Sequence, residues 1–315
     1  MTVRILQLGD SHLGMAAEME GAPAGQSRAA DHLAAFDAAL APARDGQMDL
    51  VIHTGDLFDR SVPPQQAVLD AADRLVALAR QVPVVVIAGN HEKNGLKKLI
   101  PHGLDTLHVV DRPTRLEVCG LRLACLPYHR HADDWAVNAD RLCQGGVDAI
   151  VAHQGFDGGR VPGYTFRRPR HRDVIGSQDV PEGITHILSG HLHPRQTHPL
   201  GDALVVHAGS TERTSFSERL QPKGAVHWQW GGEPTCRFVS HPTRAMALVG
   251  TLDEAESVQP GTWVILCKGS DPDVKRRVLE RGGFVRPERI RRPRRGDGVR
   301  VQAGLFETAG GAPNG

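Results

Sequence analysis

Apolar residues fall into two rhythms along the first part of the chain. Short runs at Val3–Leu8, Asp49–Thr54 and Pro83–Ala88 are too brief for helices and end in Gly or polar residues, so they predict buried strands. Between them, Ala29, Leu33, Phe36 and Leu40 recur at the spacing of a helix face. A second such stripe, Val68, Ala72, Leu75, Val76 and Ala79, follows a start signal at Pro63-Pro64. Leu107–Val110, Thr114–Val118, Leu121–Leu126 and Ala149–His153 read as further strands, with a helix over Asp133–Leu142 and a long loop after His153. From Thr185 the pattern is mostly strand: Thr185–Ser189, Ala203–His207, Gly224–Trp230 and Thr235–Ser240. Alternating strand and helix followed by strands predicts an α/β (α+β) architecture, a two-layered β-sandwich core flanked by helices over residues 1–241.

Beyond Pro242 the composition shifts. Strands over Ala245–Leu252 and Thr262–Lys268 and a helix over Asp273–Arg281 predict a small C-terminal α/β cap spanning 242–307. Residues 308–315 are a Gly/Ala/Pro tail with no reason to fold.

The chemistry lies where the predicted strands end. Asp10-Ser11-His12, Gly55-Asp56-Leu57-Phe58-Asp59, Gly89-Asn90-His91-Glu92, His153 and Gly190-His191-Leu192-His193 each follow or close a strand. In α/β sheets such ends form the ligand crevice, and the glycines allow sharp turns into it. Carboxylate, imidazole and amide donors without thiolate suit Mn²⁺, Fe or Zn²⁺ in a working site and argue against a structural zinc. Asp56 is the natural bridge between two ions, which would share and acidify one water for in-line phosphoryl displacement. Any one of these pairs alone would be an ordinary loop device; five in chain order are not. His32, His53, His186 and His207 fall inside element patterns and read as structural.

The overall charge changes this picture little: 37 Lys+Arg against 36 Asp+Glu leave a net +1. Its distribution matters more. Residues 275–300 hold eleven Lys/Arg against three carboxylates, so the rest of the chain is net negative. A second cluster, Arg167, Arg168, Arg170 and Arg172, follows His153. Both clusters predict tracking of a nucleic-acid backbone without base recognition, the rival being a solvated basic surface. Five cysteines without a CxxC fit a reducing compartment, and no stretch suits a signal-peptide core or a membrane span. These features predict a cytoplasmic protein.

The order DxH, GDxxD, GNH(E), H and GHxH resembles the calcineurin-like metallophosphoesterases. Gly9–Gly14, Gly55–Ser61 and Ala208–Thr214, continued by Phe216-Ser217-Glu218 and Lys223-Gly224, are similar to the SbcD-type DNA-repair nucleases. The resemblance covers about residues 1–241 and implies the metallophosphoesterase fold. It implies Asp10, His12, Asp56 and His193 around one metal, and Asp56, Asn90, His153 and His191 around a second, Mn²⁺ being the expected ion. His91 would be the imidazole outside the ligand set that assists the leaving 3′ oxygen. Asp59 would orient a ligand such as His12, or else cap the next helix.

The implied activity is a 3′→5′ exonuclease with single-strand endonuclease activity in DNA repair and recombination. Arg167, Arg168, Arg170, Arg172, Arg289, Arg291, Arg292, Arg294 and Arg295 would contact DNA. A homodimer and an SbcC-type ATPase are the partners such a chain would have, but no helical pair of the docking kind is visible. Some members carry His at the Asp59 position, and Glu92 stands where Asp is usual. A small-molecule (cyclic nucleotide) phosphodiesterase or phosphatase, and a DNA-end binding scaffold, are the two rival functions.

Overall fold

The computed structural model describes residues 2–92, 95–100, 103–162, 164–168 and 171–290. Two six-stranded sheets stack face to face. The first runs Thr235–Ser240, Gly224–Trp230, Val3–Leu8, Leu50–His53, Val84–Ile87, Leu107–Val110, antiparallel at the first two pairings and parallel thereafter. The second runs Gln196–Leu200, Ala203–His207, His186–Gly190, Ala149–His153, Leu121–Leu126, Thr114–Val118, with antiparallel pairs only at its edges.

The side-chain alternation assigns each face. Ile5, Ile52, Val85 and Ile87 meet Leu123, Val151, Leu188 and Val206 between the sheets. Their neighbours Leu6, Leu8, Val51 and Val84 turn outward onto Phe36, Leu40, Leu75 and Leu78 of helices Arg28–Arg44 and Gln65–Ala79. Leu126, Ile150 and Ile187 do the same against Trp135, Ala139 and Leu142 of helix Ala132–Cys143. Burial on both faces is why the central strands read as continuous apolar runs.

Each helix is rotated from its predicted stripe. Helix Arg28–Arg44 buries His32, Ala35, Phe36, Ala39, Leu40 and Ala43, leaving Ala29 and Leu33 half-buried. Helix Gln65–Ala79 buries Ala67, Ala71, Leu75, Leu78 and Ala79. Small alanines let the helices sit close to the sheet, so the larger Leu33, Val68 and Val76 pack at the flanks. The loop expected after His153 contains two short ladders, Gly155–Phe156 with Val174–Ile175 and Arg160–Val161 with Tyr164–Thr165. Two-residue strands have no period to read. Strand Gln196–Leu200 also escaped the pattern; its Pro199 is tolerated because the strand lies at a sheet edge.

The cap is a three-stranded parallel sheet, Met246–Val249, Trp263–Cys267 and Phe284–Ile290, with helices Leu252–Glu256 and Pro272–Glu280. One face forms its own core around Val249, Val264, Val274, Val278 and Val285. The other face, through Met246, Trp263 and Phe284, packs on Phe216 and the segment 17–22. Val285 also pairs with Glu20 as a backbone bridge, and Arg244 reaches Asp31 at 2.7 Å. The predicted tail, 308–315, lies outside the described residues.

Candidate metal centre

The C-terminal ends of the parallel strands in both sheets point to one place. Val3–Leu8 leads to Asp10 and His12, Leu50–His53 to Asp56, and Val84–Ile87 to Asn90 and His91. From the facing sheet, Ala149–His153 ends on His153, and His186–Gly190 leads to His191 and His193. Of the five non-glycine residues with positive φ among the described residues, four are in this set: Asp10 (51°), His12 (46°), Asp56 (50°) and His191 (76°). Each such conformation costs about 1–2 kcal/mol for a residue with a Cβ, so strain is concentrated at the crevice.

The glycines beside these residues are required by proximity. A Cβ on Gly55, whose φ is +100°, would lie 2.3 Å from His153 Nδ1. One on Gly89 would lie 2.1 Å from Asp56 Oδ1.

Three groups of donor atoms each lie within 4.8 Å: Asp10, His12 and His193; Asp10, Asp56 and His153; and His12, Asp56 and His91. Asp10, His12 and Asp56 each belong to two groups, whereas the sequence marked only Asp56 as shared. Asp56 Oδ2 is 3.3 Å from His153 Nε2, 3.8 Å from His91 Nε2 and 4.0 Å from His12 Nε2. Asn90 Oδ1 lies 3.0 Å from both His153 Nε2 and His191 Nδ1. The His191 amide donates to both Asp10 carboxylate oxygens at 3.0 and 3.1 Å. His12 Nε2 and His193 Nε2 face each other at 3.1 Å.

This donor set fits divalent cations. Asp10 and Asp56 are buried, and among the described residues neither pairs with Lys or Arg. Two buried carboxylates without a permanent cationic partner call for a positive ion. The proton affinities of Asp56, His12 and His191 agree with ligation, whereas those of Asp10 and His153 are raised and favour protons in the metal-free protein. Burial opposes ionisation of Asp56, but His153, His91 and His12 outweigh it and hold the carboxyl well below its ordinary range. Burial, and then neighbouring imidazoles, push His12 and His191 well below 6.5, leaving their lone pairs free. Burial also works against a charged His153, but Asp56 overrides it and raises that ring to about 9.

The calcineurin-like phosphoesterase family matches residues 3–195, well over half of the chain. The chain is a calcineurin-like phosphoesterase. It is 30% identical over 230 residues to the DNA double-strand break repair protein Mre11 of Halobacterium salinarum, covering 70% of this chain and 54% of that one. It is also 30% identical over 237 residues to Mre11 of Haloferax volcanii, covering 70% of this chain and 48% of the relative. The chain therefore spans about half the length of these curated relatives. A conserved uncharacterised protein of Streptococcus pneumoniae, known as a crystal structure, aligns at 15% identity with a TM-score of 0.36, over 76% of this chain and 90% of that one.

As a member of this family the phosphoesterase is a hydrolase of phosphoester bonds that works with divalent metals. Its crevice opens as a cleft of about 590 Å³ lined by Asp56, Asn90, His91, His191, His193 and Ser217. His91 is half-buried there, and its Nδ1 donates to the Asp59 carbonyl, which turns Nε2 toward Asp56. Asp59 faces His12 without capping the next helix. Its Oδ1 is 3.8 Å from His12 Nδ1, beyond hydrogen-bond reach, and the next helix starts at Gln65 behind Pro64.

Glu92, given no role in the sequence, joins two ligand loops, accepting from Phe58 N at 2.7 Å and Gly89 N at 2.8 Å. The GNHE pattern carried that signal. His32, His53 and His207 support the loops from behind: the first two contact Ser11, and His207 contacts the Gly190 carbonyl at 2.8 Å.

The basic clusters need correction. Acidic partners are present, some from the same segment and some from elsewhere in the chain. Arg168 is drawn inward, with Asp133 at 2.9 Å and Asp179 at 3.0 Å. Arg167 reaches Asp157 at 3.3 Å yet is exposed, and Arg172 is exposed. In the cap, Lys275 pairs with Glu20 at 2.7 Å, Arg276 with Glu280 at 2.7 Å and Arg277 with Glu256 at 2.6 Å. Arg170, Arg291, Arg292, Arg294 and Arg295 lie outside the described residues, and of Arg289 only the backbone is described.

Proposed function

We propose that this phosphoesterase is a metal-dependent DNA nuclease of double-strand-break repair, a 3′→5′ exonuclease with single-strand endonuclease activity. The observation that carries the reading is the convergence of Asp10, His12, Asp56, Asn90, His153, His191 and His193 at one open cleft, beside His91. Relatives named for double-strand break repair support it. Asp10, His12, Asp56 and His193 would hold one ion, and Asp56, Asn90, His153 and His191 the other, Mn²⁺ being favoured by the oxygen and imidazole donors. Bound divalent ions would supply an acidified water and neutralise charge during in-line displacement at phosphorus.

The chain's own groups do the rest. With its Nδ1 proton on the Asp59 carbonyl, His91 presents Nε2 to the cleft. In the doubly protonated ring Nε2–H would pass its proton to the departing 3′ oxygen, leaving a neutral imidazole still bonded through Nδ1. Arg167 and Arg172, both exposed in the segment that follows strand Tyr164–Thr165, would meet a DNA backbone by charge alone. The protein would work in the cytoplasm; an SbcC-type ATPase and a second copy of the chain are the partners the reading allows.

One observation favours a small phosphodiester as substrate instead: Arg168, Lys275, Arg276 and Arg277 are engaged within the protein. The two readings part on a truncation. Removing residues from 275 onward would take away Val278, Phe284 and Val285, which are buried, so the cut belongs after Ile290. End-labelled linear duplex and bis-p-nitrophenyl phosphate are compared with Mn²⁺, Mg²⁺ or EDTA. The nuclease reading expects Mn²⁺-dependent cleavage of both by the full chain, with truncation slowing only DNA. Intact DNA alongside cleaved small diester would make this a small-molecule phosphodiesterase.

A further inference from the structure

Around His193 Nδ1, where Glu218 reaches the edge of the cleft, lies a group of buried polar residues with no place in the proposed ligand set. Glu218 is 3% exposed and Lys223 is 2% exposed. Glu218 Oε1 is 3.1 Å from His193 Nδ1 and accepts from Thr214 Oγ1 at 2.6 Å. Its other oxygen accepts from Lys223 Nζ at 2.6 Å. Lys223 in turn donates to Ser210 Oγ at 2.7 Å and to the His193 carbonyl at 3.1 Å. The short helical turn Phe216–Glu218 that presents the carboxylate is anchored by Phe216, whose ring lies 4.7 Å from that of Trp263.

A buried ion pair is a poor source of stability, because two charges leave water to form it. Its specific effect here is geometric. A carboxylate on Nδ1 fixes which ring nitrogen carries the proton and stops the imidazole from flipping, so Nε2 can face only Asp10 and His12. The contrast with His12 is informative, since its Nδ1 is buried without a hydrogen-bond partner. Within the group Asp10, His12 and His193, among the described residues, His193 is the imidazole whose Nδ1 is held from behind. His153 Nδ1 is likewise held, by the Thr54 carbonyl at 2.7 Å, in its own group.

We propose that Glu218 is the positioning residue that pre-orients His193 as a metal ligand, with Lys223 and Thr214 holding Glu218 in register. The proposal rests on the reading of the cleft as a divalent-metal centre, and the experiment separates the two. Mn²⁺ is titrated calorimetrically into metal-free wild type, Glu218→Gln and Glu218→Asp.

Wild type without Mn²⁺ binding would remove the metal centre itself. With wild type binding, Glu218→Gln is expected to weaken the site containing His193 by about 10- to 100-fold, with the other site unchanged. Glu218→Asp, which retains the charge, is expected to recover part of the loss. Glu218→Gln isotherms superposing on wild type would overturn the proposal. If Glu218→Gln does not fold, wild type decides alone: nitrogen-15 spectra of the Zn²⁺-loaded protein should show His193 protonated at Nδ1 and bare at Nε2. A bare Nδ1 would overturn it equally.

Discussion

Gly55 shows how single residues build this centre. Its φ of +100° lies where side chains are strained, and its absent Cβ is what leaves room for His153, 2.3 Å away. Gly55→Ala should therefore cost about 1–3 kcal/mol in urea unfolding. It should also weaken Mn²⁺ binding, because either His153 or the Asp56 turn has to move. An unchanged midpoint with unchanged binding would mean that the close approach is not needed. At this scale the sequence was informative: glycines next to Asp56, Asn90 and His191 marked the turns. What it hid is the support. Glu92 and Glu218 each combine a local partner with one across a loop, Phe58 N and His193 Nδ1 respectively, and the distant partner is the one their own neighbourhoods do not name.

Elements that repeat a period were readable, and those that do not were missed. Val3–Leu8, Thr114–Val118, Leu121–Leu126, Ala149–His153, Ala203–His207, Gly224–Trp230 and Thr235–Ser240 have the boundaries their apolar runs predict. The two-residue ladders between 155 and 175, the edge strand with Pro199 and the last cap strand do not follow such a rule, because tertiary pairing defines them. Local signals still set helix ends. Ser27 Oγ accepts from Ala30 N at 3.1 Å at the start of Arg28–Arg44, the helix that buries Phe36 against the first sheet. Ser27→Ala should lower stability by about 1 kcal/mol in urea unfolding while leaving Mn²⁺ affinity alone. A loss of metal binding in that variant would show that this helix end and the crevice are coupled.

Across the whole molecule, the buried histidines set how the metal-free protein responds to acid. Burial, joined by Arg28, His153 and His198 respectively, pushes His32, His53 and His207 down to about 3. Unfolded, each ring takes a proton near pH ~6.5. Below that pH the unfolded chain therefore binds protons that the folded chain refuses. The stability these rings contribute is complete above pH ~6.5 and is lost as the pH falls toward 3. Glu92, raised to about 7 by burial and then by Asp56, and Asp10, raised by burial, act in the opposite sense, whereas His12 and His191, pushed well below 6.5 by burial, add to the three rings. His153, raised to about 9 by Asp56 against its burial, and His193, raised by Glu218 against its burial, contribute stability that grows as the pH falls toward ~6.5, and so oppose the trend only at the upper end of this window. The urea midpoint in EDTA should fall between pH 7 and pH 5, by roughly 1–3 kcal/mol for each ring; a rise would contradict the assignment.

The central proposal joins all three scales: side chains from two sheets would form one metal-dependent phosphodiesterase centre in which His91 moves a proton without serving as a ligand. The most direct test measures Mn²⁺-dependent cleavage of end-labelled duplex by His91→Asn together with the Mn²⁺ bound per chain. The account predicts a rate lower by about 10²–10⁴ at wild-type metal content. Wild-type cleavage at the same metal content would contradict it.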